Sequence, residues 1–581
     1  MNFIDKYKYW IKNEYFDKET KAELIKIKDN EAEIEDRFYK DLEFGTGGLR
    51  GKIGAGTNRI NKYTVAKATQ GLADFIIENE ESKAKNEEQE SSNKKLSVVI
   101  AYDSRHKSDE FAKQAALVLA ANGIKAYLFE SLRPTPELSF AVRHIGANAG
   151  IVLTASHNPP EYNGYKAYWS DGGQLVPEIA HKVIDKVNAI NEFSSIKTMD
   201  ENEALGKGLL KIIGKEIDEI YIEKVKSLSI RDDVDKNIKI VYTPLHGTGN
   251  IPVRRVLNEL GYSNVHVVKE QELPDPQFST VGYPNPEDPK AFELAIKMGN
   301  QIGADILLGT DPDCDRVGVV VKDNNNKYIV LNGNQTGALL LDYILCSRKD
   351  KGVLPDNGII VKTIVTSEIG RVIAKHYGLE TIDTLTGFKY IGEKIKQFEE
   401  NGDYSFQFGY EESFGYLTGT FARDKDAVVA SMVICEMTGY YKKKGLNLYQ
   451  ALMNLYDRFG FYVEELYSVN LEGIEGKKKI DMIMDSFRRD YPAEIDNTRV
   501  CMVNDYKTGK SYDCKLGTST HISLPSENVM KYILDDDSWY ALRPSGTEPK
   551  LKIYISANGN DCYDANAKLK AIEKEVMKRI R

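Results

Sequence analysis

Three carboxylates stand at alternate positions in the segment Asp311-Pro312-Asp313-Cys314-Asp315-Arg316, directly after an apolar run. Confining three like charges to one turn costs free energy unless a cation neutralises them. Ligation by oxygen alone suits a hard divalent ion, and Mg²⁺ is the usual choice beside phosphate. Arg316 could then share a phosphate oxygen with the metal. We therefore predict a Mg²⁺ site for phosphoryl chemistry on Asp311, Asp313 and Asp315, with a solvated acidic loop as the alternative.

A serine that follows a second short apolar run is the candidate nucleophile. Ser156 lies in Thr154-Ala155-Ser156-His157-Asn158-Pro159, where two successive prolines force a turn rather than a continuing strand. A serine in such a turn can act as a nucleophile or carry a phosphoryl group, although an ordinary turn serine fits the segment equally well. A Ser–His hydrolase is disfavoured because the Gly-x-Ser-x-Gly elbow is absent. A phosphoserine near the aspartates would add an oxygen ligand at Ser156 to the metal site.

A loop near the carboxyl terminus has the composition of a phosphate-binding loop. Arg543 can form paired hydrogen bonds to phosphate oxygens, and Ser545, Gly546 and Thr547 supply hydroxyls and backbone amides for a small anion nest. A plain hairpin turn is the alternative.

Further polar residues follow glycine-rich turns. Glu411 and Ser413 offer acceptors and a hydroxyl donor, which suit the hydroxyls of a sugar. Lys166 and Lys389 each lie just beyond a glycine turn, and the pKa of a lysine falls near other cations, which suits proton transfer. The alternatives are a solvated acidic turn and ordinary surface lysines.

Two glycine-rich segments resemble nucleotide-binding loops but lack required residues. A Walker loop at Phe44–Gly51 would need glycine at Thr46 and a hydroxyl at Ile53. The segment Gly247-Thr248-Gly249 lacks the third glycine of a dinucleotide site, where Pro252 stands. ATP and NAD are therefore not predicted as cofactors.

A repeated order of elements positions these loops. Each copy has a strand, a polar turn, a helix that ends at glycine and a second strand, followed by another helix, a glycine and a third strand. In the first copy, the opening strand, first helix and third strand are predicted at Ser97–Tyr102, Asp109–Asn122 and Gly150–Leu153. The same three elements are predicted at Ile238–Tyr242, Pro252–Leu260 and Ile306–Leu308 in the second copy, and at Ile359–Thr363, Glu368–Tyr377 and Ser405–Phe408 in the third. Alternating strands and helices indicate α/β layering, in which ligands collect at the carboxyl ends of strands. The three loops could therefore line one cleft between domains.

We predict an α/β protein of four domains around a central cleft, the first three similar αβα domains and the fourth a smaller α+β domain. The domains are residues 1–213 with the serine loop, 214–325 with the metal loop, 326–446 with the sugar loop, and 447–581 with the phosphate loop. The highly polar run 79–95 is predicted to be an exposed loop or a frayed helix end.

Composition narrows the functional class. The chain has 581 residues, 41% of them hydrophobic and 28% charged, as in globular proteins. The net charge of −9 argues against a nucleic-acid surface. The first residues lack a signal peptide's apolar segment, and no apolar run is long enough to span a bilayer. Six scattered cysteines fit reduced thiols, so we expect a cytoplasmic protein. A monomer or weak dimer is expected.

Taken together, the four loops resemble those of the α-D-phosphohexomutase superfamily, especially its phosphoglucomutase and phosphomannomutase branch. Thr154–Pro159 is similar to the phosphoserine loop, Asp311–Arg316 to the metal loop, Tyr410–Gly415 to the sugar loop and Arg543–Thr547 to the phosphate loop. The matching segments follow the family's order and span nearly the whole chain. Tyr410 departs from the family pattern, because it takes the place of a glycine in the sugar loop.

The resemblance implies a reversible exchange of phosphate between two positions of a sugar, with glucose 1-phosphate and glucose 6-phosphate as the expected pair. Glucose 1,6-bisphosphate would be the intermediate and activator, and Mg²⁺ the metal. A phosphopentomutase, a phosphomannomutase or a sugar-phosphate sensor without catalytic activity are the alternatives. The implied roles are phosphoryl carrier for Ser156, metal ligands for Asp311, Asp313 and Asp315, acid or base for Lys389, Lys166 or His157, charge neutralisation for Arg50 and Arg316, and substrate binding for Glu411, Ser413, Lys389, Arg543, Ser545, Gly546 and Thr547.

Overall fold

A computed structural model describes residues 2–86, 95–471, 473–545 and 550–580. The chain divides into two compact units. The first comprises Met1–Gly333, Phe388–Gly409 and Ser413–Asn447, and the second comprises Asn334–Gly387, Tyr410–Glu412 and Leu448–Arg581. Among the described residues, every helix is too short or too polar to cross a bilayer.

Three short helices precede the first sheet. Their starts are set by Asn2, Asp17 and Asn30, whose side chains each accept a hydrogen bond from the backbone N–H three residues later. Trp10 is buried beneath them and stacks on Phe16 at 4.2 Å between ring centroids. The helices are α1 (Phe3–Lys12), α2 (Lys18–Lys26) and α3 (Glu31–Phe38).

The first α/β sheet has the strand order β1-β5-β4-β2-β3-β6, with β4, β2, β3 and β6 mutually parallel and β1 and β5 antiparallel to their neighbours. The central strand β4 is buried at every residue because helices cover both faces. The elements are β1 (Gly48–Lys52), α4 (Lys62–Asn86), β2 (Ser97–Tyr102), α5 (Ser108–Ala121), β3 (Lys125–Phe129), α6 (Thr135–Ile145), β4 (Ala149–Leu153), β5 (Tyr162–Trp169), α7 (Pro177–Ala189), α8 (Glu201–Gly206) and β6 (Leu210–Ile213). Residues 79–86 of the polar run therefore continue helix α4, and residues 87–94 lie outside the described residues.

The second sheet has the order β11-β10-β9-β7-β8, with β9, β7 and β8 parallel. Strands β9 and β10 form an antiparallel pair that flanks the metal loop, with Thr310 opposite Val317. The elements are α9 (Lys215–Lys226), β7 (Ile240–Thr243), α10 (Asn250–Glu259), β8 (Val265–Val267), α11 (Glu293–Ile302), β9 (Ile306–Thr310), β10 (Val317–Lys322) and β11 (Tyr328–Leu331).

The third α/β region repeats the parallel strand pair, here β12 with β13. Its chain alternates between the units, with residues 334–387 and 410–412 in the second and residues 388–409 and 413–447 in the first. The elements are α12 (Gly333–Asp350), β12 (Gly358–Thr363), α13 (Ile369–His376), β13 (Glu380–Thr384), α14 (Phe388–Asn401), β14 (Ser405–Glu411), β15 (Gly415–Leu417) and α15 (Ala427–Lys443).

The last region is an antiparallel sheet of order β16-β23-β22-β21-β18-β19-β20, with β17 paired to β18. Helices α17 and α18 contribute Met484, Phe487 and Leu569 to the hydrophobic core beside this sheet. The elements are α16 (Leu448–Phe459), β16 (Phe461–Asn470), α17 (Gly473–Arg489), β17 (Glu494–Ile495), β18 (Thr498–Asp505), β19 (Lys510–Asp513), β20 (Thr518–His521), β21 (Met530–Leu534), β22 (Trp539–Pro544), β23 (Lys550–Gly559) and α18 (Cys562–Ile580).

The predicted fold class is confirmed, with three α/β regions followed by a sheet-rich fourth. The predicted strand Ser97–Tyr102 is β2. The first helix of each copy is followed by the predicted glycine. Gly123, Gly261 and Gly378 have φ values of 75°, 92° and 78°, which a left-handed helix end requires.

Candidate active site

The turn after β4 presents Ser156 towards the aspartates. Ser156 adopts a φ of 51° and is 4% exposed. Its Oγ donates a hydrogen bond to Asp311 Oδ2 at 2.6 Å, although the two residues are 155 positions apart in the chain. The candidate nucleophile and the candidate metal loop therefore lie in direct contact within the first unit.

A buried ion pair that we did not predict holds this turn. The Arg105 guanidinium lies 3.3 Å from Asp103 Oδ2, and both side chains are fully buried. Arg105 also donates to four backbone carbonyls of the serine loop and its continuation, those of Ser156, Asn158, Pro159 and Tyr162. Asp103 Oδ2 in turn accepts from the Thr154 hydroxyl at 2.6 Å. These contacts fix the backbone that carries the hydroxyl.

The three aspartates form the cluster that their spacing predicts. Asp311, Asp313 and Asp315 are buried, and one carboxylate oxygen from each lies within 4.8 Å of the others. Asp311 Oδ1 accepts the backbone N–H groups of Asp315 and Arg316 at 3.1 and 3.0 Å. Among the described residues, Asp313 Oδ1 and Asp315 Oδ1 receive no hydrogen bond. Buried carboxylate oxygens without donors fit the hard oxygen ligands that Mg²⁺ requires.

Two lysines neutralise the cluster. Lys166 Nζ lies 2.7 Å from Asp313 Oδ2 and 3.0 Å from Asp315 Oδ2, and Lys425 Nζ lies 3.0 Å from Asp315 Oδ2. Burial opposes ionisation of Asp315, but Lys166, Lys425 and Arg316 hold its pKa below the ordinary value. Burial and the carboxylates of Asp313 and Asp315 raise the pKa of Asp311 well above the ordinary value. The neighbouring cations therefore favour the ionised form of Asp315, whereas burial and two neighbouring carboxylates oppose ionisation of Asp311.

The expectation that the pKa of Lys166 falls is wrong. Burial alone would lower this pKa, but the neighbouring Asp313 and Asp315 carboxylates raise it above the ordinary value. Lys425 itself was missed, because a lysine in the segment Arg423-Asp424-Lys425-Asp426 has the sequence signature of a solvated charged turn.

Two further predicted residues flank Ser156. His157 Nδ1 lies 3.3 Å from Ser156 Oγ, and burial together with Arg316 and Arg50 lowers the His157 pKa well below its ordinary value. The imidazole is therefore neutral near neutral pH. Arg316 pairs with Glu287 at 2.5 Å, and its Nε lies 3.8 Å from Asp315 Oδ1.

Arg50 and Lys389 also lie in the first unit. Arg50, on β1 opposite Gly164 of β5, donates to Asn158 Oδ1 at 3.4 Å and so reaches the serine loop. Lys389, at the start of α14, donates to the Thr46 hydroxyl at 2.9 Å. The glycine-rich segment before β1 thus provides one contact of Lys389.

The loop Pro244–Gly249, set aside above as a nucleotide site, braces the metal loop instead. Thr248 N donates to Pro312 O at 2.8 Å. A Cβ added to Gly247 would lie 2.5 Å from Pro312 Cα, so only glycine allows this approach.

The phosphate loop and residues 410–412 of the sugar loop belong to the second unit. Glu411, the last residue of β14, accepts the Gly387 N–H at 3.1 Å, and Arg543 Nε donates to Glu527 at 2.9 Å. Burial and the carboxylates of Glu412 and Glu411 raise the pKa of Tyr554, whose oxygen accepts a hydrogen bond from Arg543. Tyr554, which we did not predict, therefore lies within electrostatic reach of both loops.

The remaining predicted residues are distributed as follows. Ser413 belongs to the first unit, in the turn between β14 and β15. Ser545 N donates to Lys550 O at 2.7 Å across the phosphate loop. Gly546 and Thr547 lie outside the described residues.

Family models match most of the chain. Three of them, described as phosphoglucomutase/phosphomannomutase alpha/beta/alpha domains I, II and III, match residues 41–194, 219–325 and 332–456. A phosphoglucomutase of Staphylococcus haemolyticus is 38% identical over 524 residues, covering 90% of this chain and 92% of that protein. A phosphoglucomutase of Staphylococcus aureus is 38% identical over 549 residues, covering 94% and 95%.

A solved structure agrees in fold. Parafusin, a phosphoglucomutase from Paramecium in its open form, aligns with a TM-score of 0.66 at 16% identity, covering 93% of this chain and 95% of that one.

Proposed function

The chain belongs to the phosphoglucomutase/phosphomannomutase family, and from this membership we propose that it interconverts α-D-glucose 1-phosphate and glucose 6-phosphate. It is an enzyme, an intramolecular phosphotransferase of the isomerase class. The phosphoglucomutases that match over at least nine-tenths of this chain support glucose as the sugar. The observation that carries the proposal is the 2.6 Å hydrogen bond between Ser156 Oγ and Asp311 Oδ2, which joins the candidate phosphoryl carrier to the candidate metal loop.

The reaction proceeds in two transfers. Phosphorylated Ser156 gives its phosphoryl group to the free 6-hydroxyl of glucose 1-phosphate, whose proton passes to a base. The resulting glucose 1,6-bisphosphate turns over and returns its 1-phosphoryl group to Ser156, which leaves glucose 6-phosphate. Each transfer breaks one P–O bond and forms another, so the enzyme ends in its starting phosphorylated state.

Residues around Ser156 stabilise the transferring group. Asp311, Asp313 and Asp315 would hold Mg²⁺, which would neutralise charge on the phosphoryl oxygens when bound. Arg316 and Arg50 add positive charge beside them, and Lys166 remains protonated between two carboxylates. His157 lies 3.3 Å from Ser156 Oγ, but its lowered pKa makes its imidazole a weak base, and Lys389 is the first candidate to exchange a proton with the substrate.

Binding energy comes from the other end of the substrate. Glu411 and Ser413 hold sugar hydroxyls, and Arg543, Ser545, Gly546 and Thr547 hold the phosphate that does not react. This remote grip positions the reacting end and so lowers the activation barrier. We further propose that the enzyme acts in the cytoplasm, which agrees with its six free cysteines, and that it is a monomer or weak dimer.

A coupled assay tests the function. With Mg²⁺ and catalytic glucose 1,6-bisphosphate, we expect glucose 1-phosphate to be turned over faster than mannose or ribose 1-phosphate. Chelation with EDTA should stop turnover and Mg²⁺ should restore it, because buried carboxylates alone repel the transferring phosphate. Faster turnover of mannose 1-phosphate would favour the phosphomannomutase activity that the family description also names.

A further inference from the structure

Five charged side chains outside the reaction centre are gathered in the second unit. We call them the Glu368 cluster: Lys362, Glu368, Arg371, Asp383 and Lys531. Lys362 is 0% exposed and Lys531 is 3% exposed. Removing such ammonium groups from water costs free energy that ion pairs must offset. Such a network often adds nothing to the free energy of unfolding, so we ask whether it positions neighbouring residues instead.

The cluster is joined by direct contacts. Glu368 lies 3.0 Å from Lys362 Nζ, 3.2 Å from Lys531 Nζ and 3.0 Å from Arg371 Nε. Asp383 lies 3.1 Å from Lys362 and 2.7 Å from Arg371. Burial opposes ionisation of Glu368, but Lys362, Lys531 and Arg371 hold its pKa below the ordinary value. Glu368 is therefore the shared anion of three cations.

Lys531 connects two distant parts of the chain. It lies on β21 of the last sheet, with Nζ 4.2 Å from the Trp539 ring centroid. Its Nζ also donates to Ile364 O at 2.7 Å, in the turn that follows β12. One lysine thus attaches the turn 364–368 to the last sheet.

That turn touches the sugar loop. The hydroxyls of Thr363 and Thr366 lie 2.8 Å apart, and each is 3.3 Å from Glu412 Oε2. Glu412 directly follows Glu411, the residue proposed above to hold a sugar hydroxyl. A series of contacts therefore leads from Lys531 through the turn to Glu412, the chain neighbour of Glu411.

We propose that Lys531 and Glu368 are positioning residues for Glu411, so that the last sheet sets the orientation of the sugar loop. The inference rests on the proposed function, since it concerns the same sugar. Arg543, on β22 beside β21, is carried by the same sheet. The last sheet thereby positions both Arg543, which binds the distant phosphate, and Glu411, which binds a sugar hydroxyl, and so preserves the distance between them.

The test is a double-mutant cycle on KM. Lys531→Met removes the charge and shortens the side chain by only one atom, and Lys531→Arg is the matched control that keeps the charge. We expect Lys531→Met to raise the KM for glucose 1-phosphate about tenfold with kcat within about twofold, and Lys531→Arg to recover most of that loss. In a Glu411→Gln background, adding Lys531→Met should change KM by less than about twofold, because residues that act through one group are not additive.

Additive effects on KM in the cycle would overturn the proposal, as would a fall in kcat with unchanged KM. A wild-type enzyme inactive on every sugar phosphate would instead refute the proposed function, so the two failures are distinct. If Lys531→Met does not fold, the variant Lys531→Met/Glu368→Gln removes one charge of each sign. It enters the same cycle with the same expected KM values.

Discussion

The Ser156 hydroxyl donates to a carboxyl group that resists ionisation. Asp311 is buried beside Asp313 and Asp315, and these neighbours raise its pKa, while its other oxygen is held by two backbone amides. A divalent cation reverses this balance, because it favours the ionised form of every carboxylate that it contacts. The protonation of Asp311 is therefore expected to depend on whether a divalent cation is bound.

Replacing Ser156 by alanine should lower the mutase rate by at least about 1000-fold, because the phosphoryl carrier is lost while the surrounding donors remain. The melting temperature should change little, since one hydroxyl is removed from a turn that Arg105 holds by its backbone. The matched control is Ser195→Ala, an exposed serine in the same unit, which should retain full activity. Intact-mass measurement should show phosphate on the wild type and the control only.

The residues that sequence reasoning missed at this scale share a physical cause. Asp103, Arg105 and Lys425 are charged residues in polar turns, and their sequence neighbourhoods match those of solvated loops. Their roles arise from burial and from partners far away in the chain, such as Asp315 for Lys425. The aspartate cluster could be predicted because its three charges are local in sequence.

At the scale of elements, helix α15 begins on a buried carboxylate. Asp426 accepts the N–H groups of Val428 and Val429 and the Tyr221 hydroxyl, and burial raises its pKa to about 6. A raised carboxyl pKa contributes stability below the ordinary value of 3.8, and that contribution is lost as the pH rises through about 6.

The variant Asp426→Asn keeps an oxygen for the helix cap but carries no charge. Relative to the wild type, its unfolding free energy should increase by up to about 3 kcal/mol between about pH 4 and pH 8, because about two pKa units are involved. Thermal melts of both proteins across this range give the measurement. A stability difference that does not vary with pH would contradict the assignment.

The brace between the Pro244–Gly249 loop and the metal loop gives a second prediction. Gly247→Ala should displace Pro312, weaken Mg²⁺ activation and lower kcat by about tenfold or more, since small misplacements of catalytic groups are costly. Gly206→Ala is the matched control, because nothing lies within 4 Å of its added Cβ. Activity measured at varied Mg²⁺ concentration distinguishes the two variants. Equal activation curves would contradict the prediction that this loop supports the metal loop.

The repeated strand–helix–glycine order could be predicted because it depends on local signals. Strand β2 has the predicted bounds, and helix α5 differs from its prediction by one residue at each end. The antiparallel strands β1 and β5 were not predicted, since their glycines and lysines do not give a strand's apolar alternation.

At the scale of the whole molecule, the division into two compact units was not predictable. It depends on pairs such as Lys531 and Glu368, which are 163 positions apart. Sequence periodicity describes single elements, whereas such pairs are fixed only when the elements have packed.

Charge is also distributed unevenly over the molecule. The net charge is −9, yet Arg50, Arg105, Lys166, Arg316 and Lys425 gather around Ser156. Most of these cations are paired with carboxylates: Arg105 with Asp103, Lys166 and Lys425 with Asp315, and Arg316 with Glu287. We expect the KM for glucose 1-phosphate to rise several-fold between about 0.05 and 0.5 M KCl, because salt screens the attraction between the substrate phosphate and the cations that bind it. The kcat should stay constant, and a KM insensitive to salt would contradict the prediction.

The ammonium of Lys531 over the Trp539 indole also provides an optical signal. A cation at the face of an indole perturbs its excited state, so the emission of this tryptophan depends on whether Lys531 stays in place. Trp10 and Trp169 are the chain's other indoles, and both belong to the first unit. Replacing these two with phenylalanine leaves a single fluorophore, whose spectrum during substrate titration would follow the attachment of the turn 364–368 to the last sheet in real time.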